Sequence, residues 1–296
     1  MAVEWDEAQK NPEKLKAFIN LRLGETWEED KEAVEADALK ARRENYGENV
    51  DVPIGVGILT ASVDVQGDRL ECAVKGWGDG EESWLISYQQ FFGDPGQADV
   101  WKELDEFLVT RFKHAGGIEV GIKTTMIDSG GAHTDEVYRF VKARQSRRVW
   151  AIKGSSESGK EILGKFSMNN AYRVKLWSVG TDTAKDRIFA RMKVAAPGPG
   201  FMHLPEWADE EYMSQLTGEK AVRRYKRGRG AVREYVKTRP RNEALDLEVY
   251  ALAALYSLGS QTVRDLKARA ASWAEGKSDP VPAAAHPRGV RNPGIG

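Results

Sequence analysis

Three aspartates stand where the sequence pattern predicts the end or the interior of a buried element. Asp64 lies between the last two valines of LTASVDV, Asp128 closes IEVGIKTTMID, and Asp246 lies within the apolar run NEALDLEVYALAAL. In an open sheet, residues at strand ends line the crevice in which ligands bind. We therefore expect Asp64 and Asp128 to share one crevice, and we expect a buried helix to bring Asp246 to the same place.

Three carboxylates in one crevice predict a metal site. Carboxylates so close together repel one another, and burial adds a desolvation cost, so the cluster requires a compensating cation. Oxygen ligands without Cys or His favour Mg²⁺ or Mn²⁺ over zinc. Two such ions about 3.5–4 Å apart support in-line attack on a phosphodiester. The prediction is that Asp64, Asp128 and Asp246 bind two Mg²⁺ or Mn²⁺ ions and catalyse phosphodiester hydrolysis; no other cofactor site is predicted.

Each aspartate also has a purely structural interpretation. Asp64 could belong to the hairpin turn that begins at Gln66. Asp128 precedes a serine and two glycines, so it could cap a helix or form an Asx turn. Asp246 has apolar helical neighbours, but Glu248 lies in the same helix with similar neighbours. Helical periodicity alone therefore does not single out Asp246.

A dense basic segment, EKAVRRYKRGRGAVREYVKTRPR, directly precedes the helix that carries Asp246. Tyr225 and Tyr235 are interleaved with the basic residues, and two glycines lie near its centre. This pattern favours a mobile hairpin that neutralises DNA phosphates, although a solvated charged loop is the alternative. The predicted DNA-binding residues are Arg223, Arg224, Lys226, Arg227, Arg229, Arg233 and Lys237.

Composition narrows the class of protein. The 296 residues carry 44 Lys and Arg against 45 Asp and Glu, so any nucleic-acid site must be local. A single cysteine, Cys72, excludes an internal disulfide, and no apolar run reaches the roughly 18 residues of a membrane span. The segment GSSESGKE resembles a phosphate-binding loop, but Glu161 replaces the required Ser or Thr. We predict an intracellular protein with no membrane partner and no ATP site at this loop.

The elements that must position these residues follow from the same patterns. Residues 1–50 are rich in charged helix formers and predict a helical linker or arm. Residues 51–260 begin with three strand patterns and continue with alternating strands and helices, including a predicted helix over 99–114. This order predicts an α/β fold with a mixed central sheet flanked by helices on both faces. Residues 261–296 predict a C-terminal helix and a disordered tail.

Several separated motifs resemble one family. LTASVDVQGDRLECAVKGWGDGEESWLISY, IDSGG, VGTDTAKDRIF, GPGFMHLP and RNEALDLEVYALAAL resemble the nuclease domain of the large terminase subunit of tailed bacteriophages, in the lambda-like branch. The resemblance covers about residues 11–260. It implies an RNase H-like fold and a metal-dependent endonuclease that cuts concatemeric viral DNA during genome packaging. The acidic motifs of the family map onto Asp64, Asp128 and Asp246, and Glu243 is a further catalytic candidate.

The resemblance also implies partners and a location. The expected partners are double-stranded DNA, the small terminase subunit, the portal protein and an ATPase domain that would precede residue 1. The expected location is the cytoplasm of the bacterial host, with transient attachment to the procapsid portal. Two alternatives stay open at this point: a recombination nuclease of the resolvase or integrase type, and a noncatalytic module that docks onto portal or DNA. An ATPase is a more remote alternative.

Overall fold

The computed structural model describes residues 36–46, 50–157, 159–226 and 230–277. Most of the predicted N-terminal arm and the predicted tail beyond residue 277 lie outside these ranges. Within them, no helix combines the length and the apolar character needed to cross a membrane.

The described residues form the following elements. The helices are α1 (Ala36–Ala41), α2 (Ala98–Leu108), α3 (Thr134–Lys142), α4 (Thr181–Met192), α5 (Glu210–Leu216), α6 (Glu243–Ser257), α7 (Ser260–Arg264) and α8 (Leu266–Ala274). The strands are β1 (Ile58–Val65), β2 (Arg69–Trp77), β3 (Ser83–Phe92), β4 (Arg111–Lys113), β5 (Glu119–Asp128), β6 (Val149–Ser155), β7 (Leu163–Asn169), β8 (Val174–Gly180), β9 (Met202–His203), β10 (Glu219–Lys226) and β11 (Gly230–Lys237).

One mixed sheet organises the described part of the chain. Its strand order is β7-β8-β6-β5-β1-β2-β3-β9, and β4 pairs with β5 beside this path. β1, β2 and β3 form an antiparallel meander, whereas β1, β5, β6 and β8 run parallel. Such a meander continued by parallel strands, with helices on both faces, is the RNase H-like arrangement. The predicted fold class is therefore confirmed.

The side chains of β1 contribute alternately to the two hydrophobic cores on either face of the sheet. Leu59, Ala61 and Val63 belong to a core that also contains side chains of α2 and α3. Ile58 belongs to the opposite core, which is built mainly around α6. Successive side chains of a strand point to opposite faces, so one short stretch serves both cores. Asp64 therefore lies on the same face as α6.

Helix α6 lies across the centre of the sheet and contacts β1, β2 and β5. Its burial on almost every side matches the apolar pattern of its sequence. Leu266 and Trp273 of α8 are also buried, one in each of the two cores.

The predicted helix over 99–114 is too long. Helix α2 ends at Leu108, and Arg111–Lys113 pairs with β5 as a short strand instead. Phe112 is buried in the same core as the helix. The position of Phe112 in the sequence therefore fits either a longer helix or a separate strand, and helical spacing alone predicted the longer helix.

Candidate active site

The ends of β1 and β5 meet the start of α6 at a cleft of about 490 Å³. β1 and β5 are parallel neighbours, with Val63 paired to Ile127, so the aspartates that follow lie at the same sheet edge. The cleft is lined by Asp64, Val65, Gln66, Asp128, Gly130, Gly131, Lys153, Gly154, Lys237, Pro240, Asn242, Glu243, Asp246 and Tyr250. The structure thus brings all four predicted acids to one cleft, while their catalytic roles stay predictions.

Asp64 is the most deeply buried of the three aspartates, with 6% of its surface exposed. Desolvation raises its pKa to about 8, and the neighbouring carboxylates of Asp246 and Asp128 add to the shift. The amide Nε2 of Gln66 donates a hydrogen bond to Asp64 Oδ2 at 2.6 Å. This amide contributes no positive charge, so the carboxylate favours a cation in the cleft.

Asp128 ends β5 and fits both interpretations made from the sequence. Its Oδ1 accepts a hydrogen bond from the backbone N–H of Gly130 at 3.1 Å, as in an Asx turn. Burial nevertheless raises its pKa, although the backbone N–H groups of Gly130 and Ser129 and the charge of Lys153 oppose the shift. The Asx turn therefore holds the carboxylate of Asp128 at the cleft, so the two interpretations are compatible.

Asp246 lies one turn into α6 and is contacted from two sides. Asn242 Nδ2 donates to its Oδ2 at 3.1 Å, and Lys185 Nζ of α4 lies 3.6 Å from its Oδ1. Burial raises the pKa of Asp246, while the charges of Lys185 and Lys237 act in the opposite direction. Burial makes ionised Asp246 costly, and the nearby ammonium groups of Lys185 and Lys237 stabilise the ionised form.

Glu243 lines the cleft, but arginines already hold its carboxylate. Arg69 lies 3.2 Å from one of its oxygens and Arg241 lies 3.4 Å from the other. The same two arginines also pair with the fully buried Glu71, at 2.6 and 3.0 Å. A metal at Glu243 would have to compete with two guanidinium groups, so these contacts favour a role in fixing the start of α6.

The donor set of the cleft suits a hard divalent cation. Within the described residues, no three Asp, Glu, His or Cys side chains are grouped as a ready-made metal site. Asp64, Asp128 and Asp246 nevertheless share one cleft, and burial raises the pKa of each. Raised pKa values mean that ionised carboxylates are costly here, and a bound cation would lower this cost. These three are the residues that would hold Mg²⁺ or Mn²⁺.

The basic segment forms a hairpin, as predicted. β10 and β11 pair antiparallel from Glu219 and Lys237 at the base to Lys226 and Gly230 at the far end. Arg227 and Arg229 lie outside the described residues, as do the side chains of Arg223, Arg224 and Lys226. Lys237 lines the cleft.

Arg233 anchors the hairpin to α4. Its guanidinium pairs with Asp186, and the hydroxyl of Tyr235 donates to the same carboxylate at 2.6 Å. The ring of Tyr235 also stacks on Phe189, with centroids 5.6 Å apart. These contacts give Arg233 a structural partner beside its predicted DNA-binding role.

Several residues of the site were not predicted from the sequence. Lys185 and Glu219 form a buried pair beside Asp246, and Lys153 and Asn242 line the cleft. Lys185 lies in the motif VGTDTAKDRIF, but a lone lysine in a helix carries no signal of its own. Glu219 was part of the segment that stood out for its positive charge.

The chain has relatives among known protein families. The model of the family described as terminase large subunit gpA, endonuclease domain, matches residues 1–267. The chain belongs to this family. The large terminase subunit of Escherichia phage lambda is 38% identical over 280 residues, covering 92% of this chain and 43% of the relative. The large terminase subunit of Enterobacteria phage P21 is 36% identical over 262 residues, covering 85% of this chain and 40% of the relative.

The chain therefore spans less than half the length of these two terminase subunits. Among solved structures, it is similar to the nuclease domain of the large terminase subunit gp2 of bacterial virus Sf6, determined with manganese. That match has a TM-score of 0.45 at 12% identity and covers 75% of this chain and 99% of the Sf6 chain. The HK97 bacteriophage large terminase matches with a TM-score of 0.40 at 12% identity, covering 86% of this chain and 50% of the other.

Proposed function

We propose that this chain is the metal-dependent endonuclease of a viral DNA-packaging terminase, which cuts concatemeric double-stranded DNA by hydrolysing phosphodiester bonds. The observation that carries the proposal is the meeting of Asp64, Asp128 and Asp246, each with a raised pKa, in one cleft. Membership of the terminase endonuclease family supports the same chemistry.

The chain's own residues prepare the cleft for a phosphodiester. Asp64, Asp128 and Asp246 would hold two Mg²⁺ or Mn²⁺ ions, which when bound supply activation of water and stabilisation of the leaving oxygen. Lys153 and Lys237 place positive charge on the cleft wall, where it attracts a DNA phosphate.

Hydrogen bonds inside the cleft limit the movement of the carboxylates. The side chains of Gln66 and Asn242 and the backbone N–H of Gly130 each donate to one of the three aspartates. Carboxylates held in this way lose less conformational entropy when a cation binds.

Sequence specificity should be weak for a site of this kind. Phosphate contacts position DNA without reading its bases, so other components would select the cutting site. By relation to the lambda and P21 terminase large subunits, we propose that an ATPase domain, the small terminase subunit and the portal protein act with this chain. The work would take place in the cytoplasm of the bacterial host, with transient attachment to the procapsid portal.

Plasmid nicking in the presence of Mn²⁺ tests the proposal. Asp64→Asn and Asp246→Asn should each reduce nicking by roughly 10³-fold or more, the scale of losing a group that acts as part of a catalytic unit. DNA affinity should change little, because the basic residues remain. Asp99→Asn, at an exposed position of α2, is the matched control and should retain activity.

Two results would count against the proposal. Full nicking activity in the Asp64→Asn/Asp246→Asn double variant would exclude these residues from the chemistry. Absence of Mn²⁺-stimulated cleavage by the wild-type chain, combined with tight portal binding, would instead favour the noncatalytic docking module.

A further inference from the structure

Four side chains form a closed ring beside the cleft. Lys185 Nζ lies 2.8 Å from both carboxylate oxygens of Glu219 and 3.6 Å from Asp246 Oδ1. Across the ring, Asn242 Nδ2 donates to Glu219 Oε1 at 2.7 Å and to Asp246 Oδ2 at 3.1 Å. Lys185, Glu219 and Asn242 are all buried. The ring therefore connects α4, the base of the hairpin and α6.

The distances show that Glu219, rather than Asp246, is the main partner of Lys185. The ammonium group binds Glu219 through two short contacts and reaches Asp246 only at the outer limit of an ion pair. The negative charge of Glu219 compensates the positive charge of Lys185. The negative charge of Asp246 is then left for the cleft, where Asp64 and Asp128 lie.

We propose that Glu219 is a positioning residue that holds Lys185 off Asp246 and so keeps the Asp246 carboxylate available to a divalent cation. This inference rests on the proposed function, because it assigns Asp246 to the metal site. If Glu219 loses its charge, the buried ammonium has Asp246 as its remaining carboxylate partner in the ring. Lys185 would then compete directly with the cation.

The hairpin base fixes the position of Glu219. Glu219 is the first residue of β10 and pairs in register with Lys237, the last residue of β11. Lys237 lines the cleft, so one rung of the hairpin supplies a cleft residue on one strand and the partner of Lys185 on the other. A carboxylate attached to this rung can hold the ammonium at a constant distance from Asp246.

Mn²⁺ affinity without DNA, measured by titration calorimetry and by the Mn²⁺-induced rise in Tm, tests the proposal. Glu219→Gln keeps the shape and hydrogen-bonding capacity of the side chain but removes its charge. We expect it to weaken Mn²⁺ binding about tenfold or more, since the ammonium of Lys185 would pair with Asp246 and repel the metal ion. The double variant Lys185→Met/Glu219→Gln removes both charges and should return the affinity to near the wild-type value.

Rescue by the double variant separates positioning from a purely structural role. Removal of a structural anchor would leave the double variant at least as impaired as Glu219→Gln. Glu248→Gln is the matched control, because Glu248 is the buried partner of another lysine, Lys75, and does not line the cleft. It should lower Tm without changing Mn²⁺ affinity.

The Mn²⁺ affinities of these variants separate the role of Glu219 from the metal site itself. Wild-type affinity in Glu219→Gln, or failure of the double variant to recover, would overturn the role of Glu219 while leaving the metal site intact. If Glu219→Gln does not fold, the double variant still decides, because loss of its Mn²⁺ binding would overturn the proposal. A wild-type chain whose Mn²⁺ binding is absent, or is unaffected by Asp246→Asn, would overturn the proposed metal site and this inference together.

Discussion

Asp64 illustrates how a single buried carboxylate can make a site depend on cations. Desolvation and the carboxylates of Asp246 and Asp128 raise its pKa to about 8, so at neutral pH the buried side chain favours its protonated form when no cation is bound. A divalent cation would reverse this preference, because metal ligands bind in their deprotonated form. Without a bound cation, the same shift means that burying ionised Asp64 disfavours folding at neutral pH.

The free energy of unfolding should therefore fall as the pH rises from about 4 to about 8 in EDTA. The pKa of Asp64 is about 8 in the folded protein and 3.8 in the unfolded chain. In this pH window the folded protein therefore binds more protons than the unfolded chain. The contribution of this group is fully present below pH 3.8 and is lost as the pH rises through about 8. One proton accounts for a slope of up to about 1.4 kcal/mol per pH unit.

Urea denaturation at several pH values measures this dependence, with Asp64→Asn as the control. The amide side chain of this variant does not titrate, so the slope in the variant should be shallower. Adding Mn²⁺ at pH 8 should raise the stability of the wild type but raise that of the variant much less. Equal slopes in the two proteins would contradict the assignment of the shift to Asp64.

At single positions, the sequence predicted the acids better than their surroundings. A charge at the end of an apolar strand stands out against its neighbours, which is why Asp64 and Asp128 could be selected. Lys185 and Glu219 contact each other across 34 positions, and their pairing depends on how α4 packs against the hairpin base. No local pattern encodes such a contact. Arg69, which contacts Glu243 across 174 positions, was missed for the same reason, whereas Arg241 is only two positions from Glu243.

At the scale of elements, α6 places Asp246 and Glu248 on opposite faces. Asp246 and Glu248 are two positions apart, which corresponds to a rotation of about 200° around the helix axis. Asp246 faces the cleft, whereas Glu248 Oε1 accepts a hydrogen bond from Lys75 Nζ of β2 at 2.7 Å. Lys75 and Glu248 are 1% and 4% exposed, so their ion pair lies inside the core between sheet and helix.

Lys75→Met should destabilise the fold because it leaves Glu248 buried without its cation. Removing one partner of a buried pair typically costs about 3–5 kcal/mol, whereas replacing both partners with apolar residues is often neutral. The double variant Lys75→Met/Glu248→Leu should therefore recover most of the lost stability in urea denaturation. A Lys75→Met protein as stable as the wild type would show that the pair does not hold α6 on the sheet.

Elements with a clear pattern of burial were predicted from the sequence, whereas the outermost strand β7 was not. The meander β1 to β3 and helix α6 follow the sequence pattern closely, because each has a strongly buried face or is buried throughout. The edge strand β7 was not predicted. All seven of its residues are exposed or only partly buried, so its sequence lacks the alternation of a strand that buries one face.

For the whole molecule, the balance of charge hides a strong local asymmetry. The net charge is −1, yet the basic segment stands directly before α6 and its hairpin base borders the acidic cleft. Arg233 is paired with Asp186, so its charge is partly neutralised within the protein. Arg239 and Arg241 are paired with carboxylates as well. Arg223, Arg224 and Arg227 are therefore our candidates for long-range attraction of DNA, and their contribution should show in the salt dependence of binding.

Replacing Arg223, Arg224 and Arg227 with alanine should weaken binding to duplex DNA and flatten its dependence on salt. Each neutralised phosphate contributes about 0.9 to the slope of log K against log salt concentration, so removing three arginine–phosphate pairs predicts a change of about 2.7. Fluorescence anisotropy titrations from about 50 to about 300 mM NaCl would measure both the affinity and this slope. Cleavage at saturating DNA should fall less than affinity, since the predicted metal ligands are intact.

A control variant with the same change in net charge separates local contacts from general attraction. Lys102, Lys142 and Lys267 are exposed and do not line the cleft, so alanine at all three should lower affinity slightly and leave the slope nearly unchanged. Equal slopes in the hairpin variant and the wild type would move the DNA-binding surface away from the hairpin. A control as impaired as the hairpin variant would mean that overall charge, rather than this segment, governs DNA binding.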